Sequence, residues 1–235
     1  MYKLINMAIF IDYKINDGFH NMEEDSRLMD YAIENSLKEP ILRFYGWKPS
    51  CVSLGRNQKE TKINEKLCAQ KGIQIVRRLT GGRALLHDKE LTYSFVCPVS
   101  FLDCSDSVIA SYKEISGALA CGFESLGIPL AFPEQKKVNS RPEYCMSVST
   151  GADLSYKGKK IIGSAQFRKQ KYILQHGSIL FDYDKELIQS VFNESILEGS
   201  IITLKEIEEG IEVKDLCSSL KLGFESYFNI KLTSF

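Results

Sequence analysis

The sequence predicts an α+β fold. Three observations carry that reading: helical and strand-like segments mix without the strict βαβ rhythm of a doubly wound sheet, the strand-like runs between 152 and 182 follow one another through a short turn, and 44% hydrophobic residues over 235 positions suffice for one substantial core. No internal repeat, low-complexity tract or Gly/Ser/Pro linker divides the chain, so residues 1–235 are expected to form a single domain.

The first helix is expected over 22–38, where Met22, Leu28, Met29, Ala32, Ile33 and Leu37 recur at helical spacing ahead of Pro40. ILRFY and CVSLG read as strands flanking a Gly46-Trp47 turn, and residues 62–71 as a short helix ended by Gly72. The β-branched run Ile73, Ile75, Val76 follows, then a loop with paired glycines. Val108, Ile109, Tyr112, Ile115, Leu119, Phe123 and Leu126 define one face of a helix over 107–126, with Gly127 beyond it. Residues 133–151 carry prolines, serines and basic residues without a period and read as a surface loop. ADLSY, a Lys157-Gly158 turn, KKIIGSAQF and YILQHGSILFDY predict consecutive strands. Helices over 185–193 and 213–227 are expected to close the chain, with Thr203 capping a short one between.

Thirty basic and thirty acidic side chains argue against a general nucleic-acid binder, so any anionic partner must meet a local patch. No stretch approaches the roughly 20 apolar residues that cross a bilayer, and the start MYKLINMAIFIDYK lacks a small-residue cleavage site, which predicts a cytoplasmic protein without a membrane partner. Seven cysteines with no CxxC pair speak against a disulfide framework and a zinc cage, and most are expected to be buried hydrophobes.

Two segments carry candidate chemistry. In RRLTGGRALLHDKELTYSF, from Arg77, the adjacent Gly81 and Gly82 allow positive φ and a close backbone approach, and three arginines surround them. That pattern suits a phosphate, a carboxylate or a polarised carbonyl oxygen, and equally a tight turn with solvated arginines. Neither GxxxxGK[ST] nor GxGxxG is present. His87 beside Asp88 reads as a hydrogen-bonded structural pair. In GKKIIGSAQFRKQKYILQHGS, from Gly158, Lys160 abuts Ile161-Ile162; its head either enters a pocket, where it can hold a carbonyl or carboxylate oxygen, or is a solvated hairpin charge.

RRLTGGRALLHDKELTYS, GKKIIGSAQFRKQKYILQHGSILFD and WKPSCVSLGRNQ, in their order along the chain, resemble the signatures of the lipoate-protein ligase and octanoyltransferase family. The resemblance implies a mixed, largely antiparallel sheet flanked by helices, similar to the catalytic core of biotin ligases and class II aminoacyl-tRNA synthetases. It excludes biotin as the leading ligand, because the arginine- and glycine-rich adenylate loop of biotin ligases is missing. It further implies a substrate site built from Arg77, Arg78, Thr80, Gly81, Gly82, His87, Gly163, Ser164, Ala165, His176 and Gly177.

Two chemistries share that scaffold: ATP- and Mg-dependent activation of lipoate to an acyl adenylate, and cofactor-free transfer of octanoate from acyl carrier protein. Both deliver to a lysine of a lipoyl domain or of glycine cleavage H protein. Cys145, thirteen residues before Gly158, matches the nucleophile of the cysteine-dependent octanoyltransferases. Family ligases usually require a C-terminal accessory domain, in the same chain or as a partner, and only about 50 residues follow Asp182. Both features point to the transferase. An ordinary cysteine is only a few per cent thiolate near neutral pH, so the site must supply positive charge, and Lys160 is the candidate. The Gly-Gly loop is the candidate oxyanion donor. Against the resemblance, Arg83 stands where many ligases carry a third glycine, and Cys145 is followed by Met146 where relatives often have an aromatic residue. Lys136-Lys137, Lys157 to Lys160 and Arg168 to Lys171 are candidate parts of a basic face for acidic partners.

Overall fold

The structure, a computed structural model, describes residues 6–59, 61–103, 107–133, 144–147, 153–196 and 198–234. In chain order these form β1 (Asn6–Asn16), α1 (Gly18–Glu34), β2 (Ile41–Trp47), β3 (Cys51–Leu54), α2 (Glu65–Lys71), β4 (Gln74–Arg77), β5 (Leu85–His87) and β6 (Glu90–Pro98). Then come α3 (Val108–Ser125), β7 (Leu154–Tyr156), β8 (Lys159–Lys169), β9 (Tyr172–Leu180), α4 (Lys185–Phe192), α5 (Leu204–Ile207), α6 (Val213–Phe228) and β10 (Ile230–Ser234). A seven-stranded sheet runs β10-β1-β2-β6-β9-β8-β7, parallel at β10-β1-β2 and antiparallel from β2 onward. A three-stranded sheet runs β4-β3-β5. This is the mixed, largely antiparallel α+β arrangement expected. Among the described residues no helix is long and apolar enough to cross a membrane.

Successive residues of a strand face opposite sides of the sheet. In β2, β6 and β9 one set is apolar: Leu42 and Phe44, then Leu91, Tyr93, Phe95 and Cys97, then Ile173 and Ile179 pack against Ile115, Leu119 and Phe123 of α3 and Leu216, Leu220 and Phe224 of α6. Burying each such side chain contributes about 1.5–3 kcal/mol. The Phe95 ring anchors this face, lying 5.1 Å from Phe224 and 5.5 Å from Phe228. The opposite face is covered by α1, through Leu28, Met29 and Ala32, and by the small sheet, whose Cys51 and Val76 meet Tyr45 and Trp47. Beside them, α4 adds Ile188, Val191 and Phe192 to a second cluster with Val52 and Leu86.

Local signals explain the boundaries that differ from expectation. The first helix begins at Gly18, not 22, because the Asp17 side chain accepts from the His20 N–H and caps it, and it ends at Glu34 rather than 38. Gly46 and Trp47 are not a turn: they pair with Ile15 and Asn16 of β1, Asn21 donates to the Gly46 carbonyl at 3.0 Å, and the chain reverses only at Lys48–Ser50. Thr203 does cap α5, in a reciprocal box with Glu206. The strands β1 and β10 have no counterpart in the sequence reading, since the partner of Ala8 is Leu232 at the far end of the chain.

Candidate active site

The face of the large sheet turned toward α1 and the small sheet is buried yet polar. Two rows of residues cross it in register. One is Arg43, Ser94, His176, Ala165; the other, two positions along each strand, is Tyr45, Thr92, Ser178, Gly163. Above them lies a narrow cavity, with about 420 Å³ of empty space when the open mouth is counted. Its roof comes from Ser53, Leu85, His87 and Arg78 of the small sheet and its loop, and its sides from Met22 of α1 and from Cys145 and Met146.

Arg78 organises the roof. Its guanidinium donates through Nε to Thr80 Oγ1 (3.2 Å), through one terminal nitrogen to the Ser53 carbonyl (2.8 Å) and Ser53 Oγ (3.0 Å), and through the other to the carbonyls of Gly81 (2.9 Å) and Arg83 (2.7 Å). All five donors of the fork are thereby used inside the protein. Arg78 clamps the Gly81-Gly82 loop instead of offering a fork to an anion. Gly82 holds φ +93°, and a Cβ there would lie 2.9 Å from Arg78, so the clamp and the glycine require each other.

Each hydroxyl that accepts from Arg78 passes a hydrogen bond to a buried histidine. Thr80 Oγ1 lies 2.7 Å from His176 Nε2, and His176 Nδ1 lies 2.9 Å from Asp25. Ser53 Oγ lies 2.7 Å from His87 Nε2, and His87 Nδ1 lies 2.7 Å from Glu90. A carboxylate opposite Nδ1 selects the tautomer that carries its proton there and leaves Nε2 to accept. The carboxylates are themselves well held. Asp25 accepts from Arg43 (2.8 Å) and Tyr45 (2.9 Å); Glu90 accepts from Thr92 (2.6 Å) and Ser178. Burial alone would raise the Asp25 carboxyl, but the His176 hydrogen bond and the Arg43 charge outweigh it and hold the group below its ordinary range. Trp47 stacks on His87 with ring centroids 3.9 Å apart and donates to Thr92 (2.8 Å), so the indole is fixed as a wall.

Cys145 lies on a short 3-10 turn, Cys145–Ser147, between two buried neighbours. Tyr144 rests against Phe192 at 5.1 Å, Met146 covers Gly163, and the Cys145 N–H donates to the Ala84 carbonyl at 2.9 Å. A side chain at Gly163 would collide with the Met146 sulfur, so this position of β8 admits the turn only as glycine. Lys160, 1% exposed, reaches the Cys145 carbonyl at 3.3 Å and forms an ion pair with Asp153 at 2.9 Å. Burial holds the Arg78 guanidinium below its ordinary value, an effect that attraction to Cys145 only partly offsets.

Of the residues singled out from sequence, Arg78, His87, Cys145, Gly163, Ser164, Ala165, His176 and Gly177 line the cavity. Thr80 stands behind His176, and Lys160 behind Cys145. Arg77, Gly81 and Gly82 do not line it: Arg77 turns outward to the carbonyls of Gly55 (2.7 Å) and Gln58 (2.8 Å). His87 and Asp88 are not a pair, since Asp88 accepts from Ser50 at 2.6 Å. Nor is Lys160 a lone cation, given Asp153. Asp25, Glu90, Thr92 and Asp153 escaped the sequence reading; the one signal available was Glu90 and Thr92 at strand spacing after His87. In the cysteine set, Cys51, Cys68 and Cys97 are buried, and burial pushes Cys51 and Cys217 up to about 12. Of the six described cysteines only Cys145 lines this cavity. Cys104 and Lys136-Lys137 lie outside the described residues. In the other basic clusters Lys169 pairs with Asp30 at 2.7 Å and Arg168 donates to Ser111 at 2.6 Å, while Lys157 and Lys159 are exposed.

Residues 17–225 match the family described as the lipoyl protein ligase A/B catalytic domain. The chain is 39% identical over 242 residues to an octanoyltransferase, LipM, of Carboxydothermus hydrogenoformans, covering 91% of this chain and 90% of that protein. It is 35% identical over 244 residues to the LipM of Staphylococcus aureus, covering 95% and 87%. A solved bipartite lipoate protein ligase of Thermoplasma acidophilum superposes with TM-score 0.72 at 20% identity, over 98% of this chain and 87% of that one.

Proposed function

The chain belongs to the lipoyl protein ligase A/B catalytic domain family, and from that premise we propose that it is an octanoyltransferase of protein lipoylation, a single catalytic domain that carries the acyl group on Cys145. The observation that supports this most directly is the placement of Cys145: half-buried at the wall of the polar cavity, its backbone held by Ala84 and by the Lys160 ammonium.

In the first half-reaction the Cys145 thiolate attacks the carbonyl carbon of an acyl thioester on acyl carrier protein. A new C–S bond forms, the carrier's C–S bond breaks, and the carrier sulfur leaves and takes a proton. One thioester replaces another, so the step needs neither ATP nor metal. In the second, the deprotonated ε-amine of a lysine on a lipoyl domain or glycine cleavage H protein attacks the same carbon. The C–N bond forms, the amine's proton is released, and the C–S bond to Cys145 breaks to restore the thiolate. Lys160 is assigned to the acyl oxygen, where a fixed ammonium stabilises the charge that develops in both steps. Asp153 holds that ammonium in place. The Arg78 relays hold the roof and both histidines and so fix the shape of the cavity wall. The exposed Lys157 and Lys159 at the β7–β8 turn offer charge to an acidic partner.

Mass spectrometry of the protein after mixing with octanoyl carrier protein, with and without ATP, tests the reading. The expected result is an octanoyl mass on the peptide containing Cys145 in both cases, discharged by a lipoyl domain. Absence of an adduct, with acceptor modification that requires ATP and free acid, would transfer the assignment to an adenylate-forming ligase.

A further inference from the structure

The strand β8 leaves an open side next to Cys145. Its outer neighbour β7 pairs only with Lys159, Lys160 and Ile162, and Ala131 and Ile201 close that stretch further by bridging to Ser155 and Lys160. From Gly163 to Lys169 the inner edge of β8 pairs with β9, while the outer edge has no partner strand among the described residues. Burial agrees. An open face would expose every second residue, whereas Ser164, Ala165, Gln166, Phe167 and Arg168 are half-buried in one unbroken run.

Both faces of this run are covered. On one, Ser111 of α3 donates to Gln166 at 3.4 Å and accepts from Arg168 at 2.6 Å. On the other, the Arg56 guanidinium lies 4.7 Å from the centroid of the Phe167 ring. What remains accessible is the strand's side, where alternate residues direct unpaired N–H and C=O groups outward. The edge starts at the cavity, where Met146 covers Gly163 and Ser164 joins the wall. It ends near a free positive charge: Arg56 is exposed and meets no carboxylate among the described residues, whereas Lys169 is neutralised by Asp30.

We infer that the outer edge of β8 is the docking track for the prosthetic arm of the acyl donor, with the arm's phosphate on Arg56; this rests on the reading of Cys145 as the acyl carrier. A carrier protein presents its acyl group on a pantetheine arm that contains two amides and ends in a phosphodiester. The amides offer the strand edge the same N–H and C=O groups as an added peptide strand, and a guanidinium suits the phosphate. The lengths agree. From sulfur to phosphorus the arm has about thirteen bonds, which span about 16 Å at roughly 1.2 Å each. The strand rises about 13 Å from Gly163 to Phe167, and the Arg56 guanidinium stands a few ångströms beyond.

Three donors of one octanoyl group test the track: octanoyl phosphopantetheine, octanoyl pantetheine, which lacks the phosphate, and octanoyl N-acetylcysteamine, which keeps a single amide. The second-order rate constant for acylation of Cys145, followed by mass spectrometry, falls about ten-fold at each truncation. In Arg56→Ala the first two donors react equally, and the step to N-acetylcysteamine keeps its size. Phosphopantetheine without an acyl group slows amide hydrogen exchange over Gly163–Lys169. Equal reactivity of the first two donors with wild type, or a phosphate dependence that survives in Arg56→Ala, overturns the role of Arg56. Unchanged exchange in β8, or slowing by a lipoyl domain and not by phosphopantetheine, overturns the track. If no donor acylates Cys145, the transfer reading fails instead, and the exchange measurement still decides whether this edge holds the arm.

Discussion

The two faces of the large sheet are equally buried and chemically opposite. On the α3–α6 face the alternate residues of β2, β6 and β9 are mostly Leu, Phe and Ile, with one polar contact in which Gln175 donates to the Tyr93 hydroxyl and Tyr93 donates to Ser164. On the α1 face, one residue along each strand, stand Arg43, Tyr45, Glu90, Thr92, His176 and Ser178, each in a hydrogen bond. Dispersion and hydrophobic burial stabilise the first face for almost any well-fitting set of side chains. On the second the buried charges keep their partners, because an unpaired one costs several kcal/mol, while the Ser94 hydroxyl is buried without a hydrogen bond. The protein thus separates what holds it together from what holds its site in shape.

That separation can be broken most severely at the cavity wall. Cys145→Ala should reduce octanoyl transfer at least about a thousand-fold with the urea unfolding midpoint nearly unchanged, since the thiol is only partly buried. A variant that still transfers at near wild-type rate would remove the covalent route. Lys160→Met should do two things: abolish transfer, and cost about 3–5 kcal/mol by leaving the Asp153 carboxylate buried without its cation. Restored stability but not transfer in Lys160→Met/Asp153→Leu would separate the two effects.

On the apolar face, Phe95→Ala should cost about 3–5 kcal/mol, with kcat/KM per folded molecule unchanged; a change in kcat/KM under fully folded conditions would show that the faces are coupled. Asp25→Asn probes the polar face through pH. Because the folded carboxyl lies below its ordinary range, its stabilisation is present above the unfolded value of about 4 and is lost as pH falls through the folded one. Asp25→Asn should therefore lower stability at pH 7 and flatten the acid limb of the stability profile in urea titrations below about pH 4. An acid limb as steep as wild type would assign it to other carboxylates. The smallest effect belongs to Arg77→Ala, which removes hydrogen bonds to the loop of Gly55–Gln58: about 1 kcal/mol in stability, and little change in kcat/KM. A hundred-fold loss of transfer would return Arg77 to the substrate site.

Periodicity and caps are local physics, so the sequence by itself determined most elements: the α3 stripe from Tyr112, the Thr203 cap, the β7 to β9 run and the loop glycines were legible there, whereas Val108 and Ile109, expected on the same face, are exposed. The three long motif blocks also determined the family and contained Lys160, His176 and their neighbours, while Cys145 was marked by its distance ahead of Gly158. Tertiary structure alone decided how those residues act on one another. Asp25 meets His176, and Arg78 meets Ser53, across many residues of chain, and no spacing rule connects them. Arg78 looked like a ligand fork until its five donors found partners, and Lys160 looked like a lone ammonium until Asp153 was placed beside it. A side chain's chemistry is written in the sequence; whether its valences are already spent depends on what folding brings within 3 Å, and that is a property of the packed strands.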